Sequence, residues 1–135
     1  VIFIASGTGF APIKAIIEDA VHRNIHRPMT LYWGGRRPTD LYQEDLIHAW
    51  VKTIPQFHYI PVISDGLPED QWQGRTGFVH EAAMQDFPDM SNHQIYACGA
   101  PIVVDSAKRD YVASGLPEDD FFADSFTSEA DKAKA

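Results

Sequence analysis

Short, continuously apolar segments alternate with amphipathic segments along this chain, and this alternation limits the possible folds more than any other feature. In the amphipathic segments, apolar residues recur at the three- and four-residue spacing of a helix. The apolar, strand-like segments are residues 1–5, 29–33, 57–63, 94–98 and, more weakly, 121–122. The helical segments are residues 12–24, 42–51, 78–84 and 102–112.

Strands that alternate with helices favour a parallel sheet, because parallel strands need crossover connections and are buried on both faces. We therefore predict an α/β fold with a five-stranded, doubly wound parallel sheet and helices on both faces. Residues 64–76 carry glycine, proline and several polar residues, which predicts a loop. The small and charged residues 128–135 are predicted to form a flexible tail, which leaves residues 1–127 as one domain.

Composition bounds the size of the protein and the partners that it can have. The chain has 135 residues, of which 44% are hydrophobic, and this profile is typical of a single globular domain. Its formal charge of −8 disfavours both nucleic acid and an anionic membrane surface as partners. No segment approaches the roughly 20 apolar residues of a membrane span. Because Val1 opens directly into an apolar strand, we expect further chain to precede it.

The use of cysteine and histidine predicts no metal site. Cys98 is the single cysteine, so it cannot form an internal disulfide or hold an iron–sulfur cluster, and it predicts a reducing, cytoplasmic location. His22 and His26 lie four residues apart on a helix, where solvated side chains are the expectation. His80 and Glu81 begin an H-E-x-x-H pattern that the following residues do not complete.

The turn after the first strand, residues 6–12, is the strongest physical signal for a ligand. Ligands of open α/β sheets bind beyond the carboxyl ends of the strands. Two glycines and a hydroxyl at a helix start let backbone N–H groups approach an anion, which the helix dipole also favours. The turn fits a pyrophosphate, and it also fits an ordinary tight connection. It is not the G-x-G-x-x-G fingerprint, because Pro12 occupies the last glycine position.

Three other positions leave a binding role and a structural role open. Arg36 and Arg37 follow the second strand, where they can pair with a phosphate, stack on an adenine or form a solvated surface pair. Tyr42 can cover an adenine or pack at the start of its helix. Cys98 can end a buried strand as a small hydrophobic residue or border a ligand pocket, where Gly99 leaves room for a ring.

Five motifs occur in one order along nearly the whole chain. They are Gly7-Thr8-Gly9-Phe10-Ala11-Pro12, Tyr32-Trp33-Gly34-Gly35-Arg36-Arg37 with Asp40-Leu41-Tyr42, Gly74-Arg75-Thr76-Gly77-Phe78-Val79, Tyr96-Ala97-Cys98-Gly99-Ala100-Pro101 and Asp124-Ser125-Phe126. Together they resemble the ferredoxin–NADP⁺ reductase superfamily, most of all the reductase components of bacterial oxygenases and the CDP-6-deoxy-3,4-glucoseen reductase type. The resemblance implies the carboxyl-terminal NAD(P)-linked domain of such a reductase, with a flavin-binding barrel on its amino side.

The resemblance also implies roles for individual residues. The residues implied along the pyrophosphate and the nicotinamide ribose are Ser6, Gly7, Thr8, Gly9 and Pro12. Those implied at the adenosine end are Arg36, Arg37 and Tyr42. Those implied beside the nicotinamide, where hydride passes to the flavin, are Cys98, Gly99, Ala100 and Pro101. The implied catalytic residues are Cys98, Asp124, which would orient the reacting groups, and Phe126, which would cover the flavin ring.

Cofactors and partners follow from the same resemblance. It implies NADH or NADPH, FAD held mainly by another domain of the same polypeptide, and a 2Fe–2S centre in the full-length protein. The implied electron acceptor is an iron–sulfur centre. A flavodoxin-like FMN carrier is the alternative, because its phosphate loop also follows the first strand. A receiver-type docking module is disfavoured, because it needs acidic residues at the strand ends, where this chain has glycines.

Overall fold

The computed structural model describes residues 1–24 and 27–125, and for Thr8, Asp124 and Ser125 it describes the backbone alone. Strands and helices alternate along this part of the chain as the sequence predicts. The strands are β1 (Ile2–Ser6), β2 (Met29–Gly35), β3 (Phe57–Ile63), β4 (Arg75–Thr76), β5 (Ile95–Gly99) and β6 (Phe121–Ser125). The α-helices are α1 (Phe10–His22), α2 (Glu44–Thr53), α3 (Val79–Asp86) and α4 (Pro101–Ala113).

All of these strands form one parallel sheet in the order β4-β3-β2-β1-β5-β6. In its centre, Ile4 of β1 pairs with Tyr32 of β2 on one side and with Ala97 of β5 on the other. The chain runs outward from β1 to β4 and then returns to β5, on the opposite side of β1. The direction of winding therefore reverses between β1 and β5.

The prediction of five strands is wrong, because the described chain has six. The additional strand is β4, which pairs Arg75 with Val62 and Thr76 with Ile63, so the predicted loop over residues 64–76 is also wrong at its last two residues. Two residues carry no hydrophobic pattern that would reveal a strand. Instead, Arg75 anchors β4 to α3, because its Nη1 lies 3.0 Å from both carboxylate oxygens of Asp86 at the end of that helix.

Each face of the sheet buries an apolar core of its own. Successive side chains of a strand point to opposite faces, so Tyr32 and Trp33 belong to different cores although both are fully buried. The core under α1 and α2 includes Phe10, Ile13, Ile17, Trp33 and Trp50. The core under α3 and α4 includes Ile4, Tyr32, Ala83, Val104 and Tyr111. These two layers make the sheet doubly wound.

The four predicted helices are all present, with ends that differ by one to two residues from the expected ones. The structure begins α1 at Phe10 rather than at Pro12, so Pro12 lies within the first turn, where its missing N–H costs nothing. Among the described residues, no helix has both the length and the apolar character that a membrane crossing requires. The predicted domain end at residue 127 and the predicted tail 128–135 lie outside the described residues.

Candidate functional site

A cleft of about 590 Å³ opens at the carboxyl ends of the strands. It lies at the point where the winding direction reverses, which is where ligands of open α/β sheets bind. Six of its lining residues end or directly follow β1, β2 and β5: Ser6, Gly7, Gly34, Gly35, Gly99 and Ala100. Because four of the six are glycines and the other two carry only a methyl or a hydroxymethyl group, backbone atoms form much of this wall.

Gly9 brings the start of α1 into contact with the end of β5. A Cβ atom at this position would lie 2.2 Å from the carbonyl oxygen of Cys98 and 2.8 Å from the Cα of Gly99. Only glycine permits this approach, because the atoms that a side chain would meet belong to the backbone. The described lining of the cleft includes Ser6 and Gly7 but not Gly9. Gly9 thus sets the distance between two elements behind the cleft.

Trp33 supports the turn after β1 from the side of the α1 core. Its indole Nε1 donates a hydrogen bond to the carbonyl oxygen of Gly7 at 2.9 Å. Its ring stacks on Phe10, the first residue of α1, with the ring centroids 4.2 Å apart. The turn that lines the cleft is therefore fixed to β2 as well as to the helix that follows it.

Arg36, the residue directly after β2, lines the cleft. Its Nε donates to a carboxylate oxygen of Asp65 at 3.1 Å, and Asp65 also lines the cleft. Asp40 accepts the backbone N–H of Arg36 at 2.9 Å. Both side chains of the Arg36–Asp65 pair are largely exposed, so water screens their attraction and the arginine can exchange partners at little cost.

Arg37 faces a different partner, the carboxylate of Asp70. The two side chains make a bidentate pair, with Nε to Oδ2 at 3.2 Å and Nη2 to Oδ1 at 2.7 Å. The hydrogen bond from Arg37 holds the pKa of Asp70 below its ordinary value. The described lining of the cleft does not include Arg37. The pair fastens the short Pro68–Asp70 turn to the end of β2.

Tyr42 packs on the aromatic residues of the α1 core. Its ring meets Trp33 edge-on with centroids 5.2 Å apart, and it meets Phe10 in the same manner at 6.4 Å. About half of the side chain, 51%, is exposed to solvent. It is not among the described residues that line the cleft, so its present contacts match the structural role that the sequence left open.

The fourth motif, residues 96–101, lies partly in the core and partly at the cleft. Cys98 is buried within the core under α1, whereas Gly99 and Ala100 line the cleft. Pro101 begins α4. Asp124 stands beside Cys98 in the register of β5 and β6. The side chain of Asp124 and the whole of Phe126 lie outside the described residues.

A sequence model of the family described as "Oxidoreductase NAD-binding domain" matches residues 3–109. The chain belongs to this family. The match includes the strand ends that form the cleft, and it confirms the resemblance to the ferredoxin reductase superfamily that the five motifs predict.

Relatives of this NAD-binding domain are named as reductases. It is 39% identical over 126 residues to the CDP-6-deoxy-L-threo-D-glycero-4-hexulose-3-dehydrase reductase of Yersinia pestis, covering 93% of this chain and 37% of the relative. It is 40% identical over 129 residues to the terephthalate 1,2-dioxygenase reductase component 2 of Comamonas sp., covering 94% and 38%. The crystal structure of the Amycolatopsis cytochrome P450 reductase GcoB superposes with a TM-score of 0.84 and 28% identity, over 94% of this chain and 37% of that one. The chain thus spans less than two fifths of the length of these proteins.

The cleft brings together some of the residues that the sequence predicts and adds others. From the predicted set it contains Ser6, Gly7, Arg36, Gly99 and Ala100. The residues that it adds include Asp65, whose carboxylate is charged, and Phe78, an aromatic residue that is 59% exposed, and neither was assigned from the sequence. Signals for both were present, because Asp65 closely follows the third strand and Phe78 belongs to the third motif of the resemblance.

Within residues 1–24 and 27–125, no group of three or more His, Cys, Asp or Glu side chains could hold a metal ion. His80 Nε2 lies 3.4 Å from a carboxylate oxygen of Asp110, and this contact joins α3 to α4. His22 is exposed at the end of α1, and His26 lies outside the described residues. His80 therefore has a structural position and His22 a solvated one.

Proposed function

We propose that this NAD-binding domain binds NADH or NADPH in the cleft and holds the nicotinamide for hydride transfer to FAD. The observation that carries the proposal is the lining of the cleft, which combines the backbone of the turn that leads from β1 into α1 with Arg36, the residue directly after β2. N–H groups at a helix start bind a pyrophosphate, and a guanidinium pairs with phosphate or stacks on adenine. Both groups are local, so they act despite the acidic net charge.

The order of the strands supports one direction for the bound dinucleotide. In the sheet, β1 lies between β2 and β5. Arg36 at the end of β2 would take the adenosine end, and the turn at Gly7 after β1 would take the pyrophosphate. Gly99 and Ala100 at the end of β5 would then leave space for the nicotinamide ring. This order matches the extended shape of a dinucleotide, whose pyrophosphate lies between its two nucleosides.

We propose positions along the dinucleotide for the remaining residues that the sequence predicts. Cys98 would form the floor of the nicotinamide end from behind Gly99, and Pro101 places the start of α4 there. Asp124 of β6, the neighbour of β5, would complete the same end, together with Phe126, which lies outside the described residues. Along the pyrophosphate and the nicotinamide ribose, Thr8, Gly9 and Pro12 would act through the turn after β1 and the first turn of α1. Arg37 and Tyr42 would contribute only after leaving Asp70 and the aromatic core.

The nicotinamide supplies the hydride and the flavin accepts it, so the residues of this domain need only bind, orient and exclude water. We propose that FAD is held mainly by another domain of the same polypeptide, and that electrons pass onward to a 2Fe–2S centre or to an oxygenase or dehydrase partner. The names of the relatives support this, since one is the reductase of a dehydrase and another the reductase component of a dioxygenase. A single, buried cysteine supports a cytoplasmic location.

Calorimetric titration of the chain with NADH, NADPH and FMN tests the proposed site when it is combined with two tryptophan variants. Ala100→Trp places an indole at the cleft from an exposed position, and we expect it to weaken nucleotide binding about tenfold or more. Ile102→Trp is the matched control, because Ile102 is 76% exposed two residues away and does not belong to the described lining.

The outcomes separate the site from the function. Equal affinities of the Ala100→Trp and Ile102→Trp variants for NADH would place the nucleotide elsewhere on the domain. Saturable binding of FMN with no response to either pyridine nucleotide would replace the proposal with an FMN carrier.

A further inference from the structure

We propose that Trp33 is a positioning residue, which aims the backbone N–H of Thr8 into the cleft toward the pyrophosphate of the bound dinucleotide. The inference rests on the proposed function and adds to it a residue that lies outside the ligand's reach. Trp33 is fully buried on β2 and is separated from the turn by 26 residues of sequence, yet its indole reaches the carbonyl of Gly7.

The geometry of the peptide bond carries the first step. The bond between Gly7 and Thr8 is trans, as all described peptide bonds are, so its C=O and its N–H point in opposite directions. The carbonyl oxygen of Gly7 points to the indole Nε1 of Trp33, 2.9 Å away in the α1 core. The N–H of Thr8 therefore points away from that core. Gly7 itself lines the cleft, and we infer that the N–H of Thr8 is directed to that side.

The second step is that this turn needs an external restraint. Gly7 has φ of +55° and its missing Cβ would meet nothing within 4 Å. A glycine in open space visits both halves of φ space at similar cost, so its own preferences do not fix the following peptide. The opposite orientation would turn the carbonyl oxygen of Gly7 toward the cleft, where it would repel a pyrophosphate. A hydrogen bond to that oxygen selects the orientation in which a donor faces the anion.

The third step is that Trp33 is held rigidly enough to select one orientation of the Gly7–Thr8 peptide. Its ring stacks on Phe10 at a centroid distance of 4.2 Å with 14° between the planes, and Tyr42 covers it edge-on at 5.2 Å. An indole N–H can donate but cannot accept. The indole therefore stabilises only the orientation of the Gly7–Thr8 peptide in which the carbonyl oxygen of Gly7 faces Trp33. The aromatic packing of the core fixes the position of Trp33, and Trp33 in turn orients the backbone N–H of Thr8 at the proposed ligand site.

Trp33→Phe tests the inference, because it keeps an aromatic ring on Phe10 and removes the N–H donor. Trp50→Phe is the matched control: Trp50 is also buried and packs on the same Phe10 ring at 6.0 Å, but it belongs to α2. Calorimetry should show that Trp33→Phe raises the dissociation constant for NADH about fivefold above that of Trp50→Phe, the factor that corresponds to one hydrogen bond. The NADH-induced shift of the Thr8 amide in ¹⁵N–¹H spectra should also fall, which a general loss of stability would not cause.

The result that overturns the inference is an NADH affinity of Trp33→Phe equal to that of Trp50→Phe while the wild-type chain binds NADH. Absence of NADH binding by the wild-type chain would instead overturn the proposed function. If Trp33→Phe does not fold, the wild-type spectra decide. The Thr8 amide must then shift on saturation with NADH, and an unmoved Thr8 amide amid shifts of Gly34 and Phe78 overturns the inference.

Discussion

Replacing Gly9 with alanine should destabilise the fold directly, because the added methyl group has no space. Its carbon would lie 2.2 Å from the carbonyl oxygen of Cys98 and 2.5 Å from the carbonyl carbon. Side-chain Cβ atoms essentially never approach a neighbour within 3.0 Å, so the start of α1 and the end of β5 must separate by about 0.8 Å. Neither partner is a flexible side chain, and the misfit must be taken up by two backbone segments.

Overpacking of this kind costs about 1 to 3 kcal/mol, and a backbone-to-backbone collision belongs at the upper end. For a domain of this size, about 3 kcal/mol lowers the melting temperature by roughly 10 °C. Thermal unfolding followed by circular dichroism measures the shift in the absence of nucleotide.

Gly7→Ala is the control, because it lies two residues away and its Cβ would meet nothing within 4 Å. It carries the strain of an alanine at φ of +55°, about 1 kcal/mol, and should lose only about 3 to 4 °C. A Gly9→Ala variant that melts with the wild type, or no lower than Gly7→Ala, would refute the close approach of α1 to β5.

Three further substitutions test individual contacts. Asp70→Asn removes the carboxylate that forms an ion pair with Arg37, so it should lower the melting temperature at pH 7. Because the folded pKa of Asp70 is lowered from 3.8, this stabilisation is present above pH 3.8 and is lost as the pH falls through the folded pKa. The melting temperatures of the variant and the wild type should therefore converge as the pH is lowered, and a constant gap would contradict the pair. Asp65→Asn frees Arg36 for the 2′-phosphate of NADPH, and the ratio of dissociation constants should move toward NADPH by about threefold to tenfold. An unchanged ratio would place the adenosine end elsewhere. Tyr32→Phe removes an O–H that donates at 2.6 Å to the carboxylate at the end of α3, and urea unfolding should report a loss of about 1 kcal/mol.

The fold was predictable to the extent that its elements bury apolar side chains in a regular pattern. The buried strands read as continuous hydrophobic runs, and the helices between them carry apolar residues at helical spacing. The exception is β4, which consists of Arg75 and Thr76. Its stability comes from a bidentate pair with Asp86 and from two partners on β3, and neither contact leaves a periodic signal in the sequence.

The candidate site was predictable where its residues end strands. Gly7, Arg36 and Gly99 follow from the rule that ligands lie beyond the carboxyl ends of a parallel sheet. The rule does not say which of two adjacent arginines lines the cleft. That choice depends on a carboxylate at residue 70, which the chain brings to Arg37 from a loop 33 residues later.

The tertiary contacts of aromatic residues were out of reach for a different reason. Tyr42 and Trp33 each stand in a motif, and their types permit both packing and ligand contact. Their roles depend on the position of Phe10, whose ring both of them touch. Spacing along the chain does not determine such three-way packing.

The central claim is that a pyridine nucleotide binds across the carboxyl ends of β2, β1 and β5. A ¹⁵N–¹H titration of the whole chain with NADH measures this most directly. The account predicts saturable shifts at Gly7, Gly35 and Ala100, one residue for each of the three strand ends. Shifts confined to the amino-terminal half of β3 around His58 and Tyr59, where a second groove of about 570 Å³ lies, would contradict it. So would spectra that do not change at saturating NADH.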